Sequence, residues 1–252
     1  MREDESIFSP SDALRSVAEN AKIPVENVRV PERIVVTYHR RAYEYTKSLI
    51  GGKAIDWWMY GDRQPFCVGR YGDKDVGLGL FWVGAPAVTM TLEEVIACGA
   101  KQIFEVGLAG GLQTFLKPGD IVVVTEAIRD EGTSHHYLPP ETKVHSSEKP
   151  RERLISRLKE KKRHHHIGPV WTTDAVYRET RGKFLKFKHY GALAINMETS
   201  AIFALAKFRN VDVVSAQVIS DVLSESGWSQ AFGTEPVVEA TKALMNIILE
   251  TL

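Results

Sequence analysis

Only two cysteines occur in the chain, Cys67 and Cys98, and neither stands in a CxxC pair. That excludes a zinc ribbon or a thioredoxin-like motif and predicts two reduced, buried thiols. No apolar run of about 18 residues exists, so the sequence offers no membrane-spanning helix. Residues 1–5 are charged and lack the apolar centre of a secretory signal, so a cytoplasmic location is expected. An excess of one charge is missing too. The 32 Lys plus Arg balance 32 Asp plus Glu, which argues against a nucleic-acid or membrane-surface binder. A local basic pocket for a small anion stays compatible with that balance. No internal repeat or low-complexity tract interrupts the chain.

What is present is enough to build a core. Hydrophobic residues make up 44% of 252, which suits one large α/β domain. Residues 1–30, punctuated by Pro24 and Pro31, read as a lead-in with a helix over 12–21 after Pro10, and residues 31–252 as the domain. Short β-branched or apolar runs at 33–38, 75–83, 102–106, 121–128, 167–172 and 211–219 predict strands. Helical spacing predicts helices at 40–50, 88–98, 151–162, 197–208 and 236–251. Strands that are apolar throughout are buried on both faces. The expected fold is therefore a central mixed, mostly parallel sheet flanked by helices.

In open α/β sheets, ligands bind beyond the carboxyl ends of the strands. Four segments fall there: Gly84-Ala85-Pro86, Gly107 to Gly111, Asn196-Met197-Glu198 and Ser220-Asp221. Taken singly, each has a plain structural explanation. The glycine run at 107–111 suits a tight strand-to-loop turn. Glu198 suits a helix N-terminus, and Asp221 suits a cap.

Taken together and in order, the segments resemble the nucleoside phosphorylase family, which includes purine nucleoside phosphorylases, uridine phosphorylases and nucleosidases. The resemblance rests on Phe104-Glu105-Val106-Gly107-Leu108-Ala109-Gly110-Gly111, Pro118-Gly119-Asp120, Asn196-Met197-Glu198-Thr199 and Val218-Ile219-Ser220-Asp221. The segments 129–137 and 171–175 are similar to family loops, and the likeness runs over about 32–250.

The resemblance implies roles. Glu198 would hold the ribose 2′-hydroxyl and favour the positive charge that develops as the C1′–N bond breaks. Met197 would pack on the sugar. Asp221 would protonate the leaving base and tilts the substrate toward a purine. Ala109, Gly110, Val176 and Arg178 would line the base, with Tyr177 or Trp228 as a stacking face. His136 would lie near the 5′-hydroxyl. Gly84, Arg41 and Arg63 would hold phosphate, with Arg63 donated by a neighbouring subunit of a homo-oligomer, a dimer or a hexamer. Nucleoside and phosphate are the expected ligands. No metal or organic cofactor is implied.

The phosphate residues depart from the family pattern. The usual Gly-Asp-Pro turn is replaced by Thr37-Tyr38-His39-Arg40-Arg41, and Glu105 stands where an arginine is usual. Two unit charges about 4 Å apart interact by roughly 4 kcal/mol at an effective dielectric of about 20, so the reversed sign opposes phosphate. Glu105 would pair with Arg41 or Arg63, serve as a base for water, or form a structural ion pair. Three activities follow: phosphorolysis, hydrolysis, or nucleoside binding without turnover. His164-His165-His166 reads as a solvated helix end and loop, since neighbouring histidines on an extended chain face opposite ways.

Overall fold

The computed structural model describes residues 6–252, so the reading of residues 1–5 lies outside the described residues. In chain order the elements are α1 (Pro10–Ala21), β1 (Arg33–Thr37), α2 (Arg40–Leu49), β2 (Lys53–Ala54), β3 (Phe66–Tyr71), β4 (Lys74–Leu80), α3 (Ala85–Ala97) and β5 (Gln102–Gly111). They continue with β6 (Ile121–Asp130), β7 (Val144–His145), α4 (Glu148–Glu160), β8 (His165–Thr173), α5 (Arg181–Tyr190), β9 (Ala194–Asn196), α6 (Thr199–Arg209), β10 (Asp212–Ser224), β11 (Gly227–Gln230) and α7 (Glu235–Thr251).

Side chains alternate along each strand, and here both faces are covered. Ile34 and Val36 of β1 join a core with Val88 and Leu92 of α3 and Phe203 of α6. Val35, between them, faces a second core with Tyr43 of α2, Leu154 of α4 and Leu244 of α7. This two-sided burial explains why the best strands are apolar throughout. A smaller cluster around Trp171 packs Phe184 and Phe187 of α5. No described helix is long and apolar enough to cross a membrane.

The sheet is mixed, as expected, but part of it closes on itself. β1 lies parallel between β4 and β5. β5 pairs in parallel with β10 and antiparallel with β9. β10 then pairs with β6, β6 with β8, and β8 with β9. The path β5–β10–β6–β8–β9 thus returns to β5. These five strands form a ring, and among the described residues each of them is paired on both sides.

Ring closure also corrects the reading of the glycine run. Residues 107–111 are not a turn: β5 continues through them, paired to β10 and β9. β4 stops at Leu80, shorter than expected, and β2, β3, β7, β9, β11 and α5 were not foreseen. The histidine run is also corrected, because His165 and His166 open β8 rather than extending a solvated loop.

Candidate functional site

The ends of β1, β4, β8 and β9, the second half of β5 and the bulged part of β10 meet around one cavity of about 610 Å³. That volume lies within the range of small-molecule pockets. Its walls include Tyr38, His39, Leu108, Ala109, Gly110 and Val176, followed along the chain by Met197, Glu198, Ser220 and Asp221.

Local backbone features aim these groups. β10 pairs with β5 in register up to Ile219↔Ala109, then shifts so that Asp221 faces Gly110. Ser220 is the extra residue of a bulge, which turns the strand and lets both Ser220 and Asp221 reach the cavity. The close approach needs Gly110. A Cβ there would lie 2.8 Å from Leu223 Cδ1 and 3.0 Å from Asp221 Oδ2. Both Asp221 oxygens accept hydrogen bonds, from Ser220 Oγ at 2.7 Å and from Trp228 Nε1 at 2.7 Å. Trp228 lies on β11, so that hairpin covers Asp221.

Glu198 precedes α6 and is 5% exposed. Its carboxylate accepts from the Gly84 backbone N–H at 2.8 Å and from the Met197 N–H at 3.1 Å. Gly84 presents its N–H from φ +104°, a left-handed conformation that favours glycine. Asn196 anchors the approach to Glu198: its Oδ1 accepts from Thr172 Oγ1 at 2.9 Å. Burial first, and then the nearby Glu105, push the Glu198 carboxyl up to about 7.

Glu105 is fully buried behind this wall and does not line the cavity. Tyr38 Oη donates to its Oε1 at 2.9 Å, and Thr199 Oγ1 donates to its Oε2 at 2.8 Å. Burial raises its carboxyl, while the hydroxyls of Ser215, Thr199 and Tyr38 oppose that rise. The expected ion pair with Arg41 or Arg63 is corrected. Hydroxyl groups, not cations, satisfy Glu105, because β5 buries it between β1 and β10.

Ala109, Gly110, Val176, Met197, Glu198 and Asp221 therefore share the cavity, as their order along the chain suggested. Arg178 is exposed and does not line it. Gly84 is beside it, with its N–H given to Glu198. His136 faces a different cavity, shared with Phe8, Met90 and Tyr137. Arg63 is exposed on a 3₁₀ turn, away from this chain's own cavity. Arg41 lines an adjoining cavity of about 400 Å³ with Arg40 and Lys242. The two cavities share His39, Leu108 and Phe232 as a common wall. Arg40 pairs with Glu44 and Lys242 with Glu239, while Arg41 has no carboxylate partner among the described residues. Among the described residues no lysine or arginine lines the main cavity, whose titratable groups include Glu179, Glu198, Asp221 and His39.

Residues 52–252 match the model of the phosphorylase superfamily. The chain belongs to this nucleoside phosphorylase family. A guanosine phosphorylase from Halorubrum lacusprofundi is 29% identical over 137 residues, 54% of this chain and 57% of that protein. The chain thus spans less than two thirds of that relative's length. A DeoD-type purine nucleoside phosphorylase from Bacillus cytotoxicus is 27% identical over 188 residues, 72% of this chain and 75% of the relative. A uridine phosphorylase structure from Vibrio fischeri ES114 superposes with a TM-score of 0.79. It shares 22% identity, over 90% of this chain and 92% of that one, so the likeness is one of fold.

Within this phosphorylase-superfamily cavity, three groups escaped sequence reasoning. Tyr38 and His39 replace a missing motif and so carried no signal. Burial holds His39 below the ordinary imidazole value. Glu179 stands between a 3₁₀ turn and the Thr180 cap of α5. A carboxylate just before a helix cap was its only mark in the sequence.

Proposed function

We propose that this chain cleaves the N-glycosidic bond of a purine nucleoside, with phosphate as the acceptor. The observation that carries this reading is one cavity holding Met197-Glu198, after β9, and Asp221, at the bulge of β10, the two strands that flank the end of β5. The ribose lies on Met197 with its 2′-hydroxyl toward Glu198, and the base extends to Asp221. As the C1′–N9 bond breaks, the pair of electrons leaves with the base and positive charge grows on C1′ and the ring oxygen. Ionised Glu198 stabilises that charge in a site with little water. Asp221 acts as the general acid: its carboxyl proton passes to N7 as the electron pair reaches the base, and the carboxylate left behind regains a proton from solvent before the next turnover. A phosphate oxygen then bonds to C1′, giving ribose 1-phosphate and free base.

Arg41 supports phosphate as acceptor, since its cavity adjoins the nucleoside cavity across His39, Leu108 and Phe232. Hydrolysis is the second reading, favoured by the lack of lysine or arginine among the described residues lining the nucleoside cavity. Purified protein with a panel of nucleosides, with and without phosphate, separates the two. The expected result is base release that needs phosphate and yields ribose 1-phosphate. Equal release without phosphate, yielding free ribose, sinks the phosphorylase reading. Binding without release sinks both.

The same reading makes the protein a cytoplasmic homo-oligomer, a dimer or a hexamer, in which Arg63 completes a neighbour's phosphate site. Arg63 suits that part because it is exposed and has no carboxylate partner among the described residues. Sedimentation is expected to give a multimer, and Arg63→Ala is expected to raise the phosphate KM about tenfold at unchanged mass, the loss of one charge-assisted contact. A fully active monomer removes this role.

A further inference from the structure

The wall of the cavity carries a hydroxyl that the proposed phosphorolysis does not use. Tyr38 follows β1 and lines the cavity, and its Oη donates to Glu105 Oε1 at 2.9 Å. In the pairing of β1 with β5, Val36 lies beside Glu105. Tyr38 stands two residues beyond Val36, on the same face, so its long side chain lies back over the carboxylate. Among the described residues it is the one part of the cavity wall that hydrogen-bonds Glu105.

The other side of Glu105 is closed. Thr199 Oγ1 donates to Oε2 at 2.8 Å, and Thr199 is fully buried. That hydroxyl accepts from Asn196 Nδ2, so its one proton is committed to Glu105. Both oxygens of Glu105 therefore accept, as those of an ionised carboxylate do. Among the described residues, Tyr38 is thus the one route for a proton from the cavity to this carboxylate. The phenol has the capacity for that passage. A tyrosine oxygen donates once and also accepts, and among the described residues Tyr38 Oη accepts from no protein group. Burial, and then the charges of Glu105 and Glu198, push the phenol well above its ordinary value, so it gives up its proton only as another arrives.

We propose that Tyr38 and Glu105 form a proton relay that gives the cavity a second activity, hydrolysis of the nucleoside by water when phosphate is absent. The relay rests on the nucleoside reading of the cavity and supplies a base for its water branch. The C1′–N9 bond breaks with its electron pair going to the base, and Asp221 gives its proton to N7. A water oxygen bonds to C1′. One water proton passes to Tyr38 Oη as the phenol proton passes to Glu105 Oε1. The products are free ribose and free base, with Glu105 neutral and Asp221 ionised. The proton on Glu105 then returns through Tyr38 to solvent, and Asp221 regains one from solvent. Phosphate needs no such help, because its oxygens already carry negative charge. Water must lose a proton to form a stable bond, and burial makes the Glu105 carboxylate a stronger base than an exposed one.

The test uses the full chain at pH 8 with inosine and guanosine, with and without phosphate, and reads free ribose and ribose 1-phosphate separately. The unaltered protein is expected to form free ribose without phosphate, more slowly than it forms ribose 1-phosphate with it. Tyr38→Phe keeps the ring and removes the hydroxyl. It is expected to lower the ratio of the free-ribose rate to the ribose 1-phosphate rate by about 100-fold, the usual effect of losing a general base. Glu105→Gln is expected to lower the same ratio about as far, and the double variant no further, because the two groups move one proton. A merely structural role lowers both products together. A ratio unchanged within about threefold in either single variant, or losses that multiply in the double variant, overturns the relay. So does ribose 1-phosphate without any free ribose from the unaltered protein. Each of these leaves the cleavage reading intact. Free ribose as the only product, lost in both single variants, keeps the relay and removes phosphate as the acceptor. No product of either kind removes the cleavage reading, and the relay with it.

Discussion

Glu198→Gln is expected to lower kcat/KM for nucleoside cleavage by about 100- to 1000-fold, the usual effect of removing a group aimed at developing charge. The amide keeps the shape and can still accept from Gly84 N–H, but it carries no charge to oppose that on the ribose. The pH dependence adds a second signature. Only the ionised carboxylate acts, and its value is about 7, so kcat/KM of the unaltered protein falls about tenfold per unit below that pH. The variant lacks that limb. The sign for stability runs the other way. The folded state binds this proton more tightly than the unfolded chain, whose ordinary value is 4.5. The contribution of Glu198 is therefore largest below 4.5 and is lost as pH rises to about 7, a change of roughly 3 kcal/mol. At pH 8 the glutamine variant should melt no lower than the unaltered protein while turning over far more slowly. Unchanged turnover would remove Glu198 from the ribose.

Glu105→Ala is expected to cost about 3 kcal/mol of stability in urea denaturation. It opens a cavity at a fully buried position and leaves the Tyr38 and Thr199 hydroxyls without their acceptor. Glu105→Gln keeps the volume and removes the charge, so its stability cost should be smaller. Because Glu105 pushes the Glu198 carboxyl upward, the glutamine variant should move the acid limb of kcat/KM to lower pH. A limb that stays in place would show that the two carboxylates do not communicate. Loss of turnover at every pH in a folded Glu105→Gln protein would instead favour its direct use as a base.

Much of the cavity was legible because the family's motifs are local. Met197-Glu198 follow the end of β9 and Ser220-Asp221 form the bulge inside β10, and each pair is contiguous in the chain, so the two carboxylates that share the cavity were picked out from short words alone. The residues expected to hold phosphate were harder. Arg41 and Arg63 lie on α2 and on a 3₁₀ turn, and neither lines the main cavity. Glu105 shows the limit most clearly. Its charge suggested a cation partner or a base for water, yet three hydroxyls from separate parts of the chain meet it. Those partners are 67 and more residues away along the chain, and no spacing rule connects them.

Composition and the alternation of apolar segments determined the mixed α/β class, because burial on two faces demands strands that are apolar throughout. The order of the motifs, and the family resemblance they carry, pointed to Glu198 and Asp221 as the carboxylates of interest. Tertiary structure alone decided that β5 runs straight through its glycines, since closure depends on the simultaneous pairing of β5 with β10 and β9. It also decided which acidic groups face the cavity. Glu105 is turned inward and Glu179 toward the cavity, and that difference comes from neighbours brought together by the fold rather than from either residue's own surroundings in the chain.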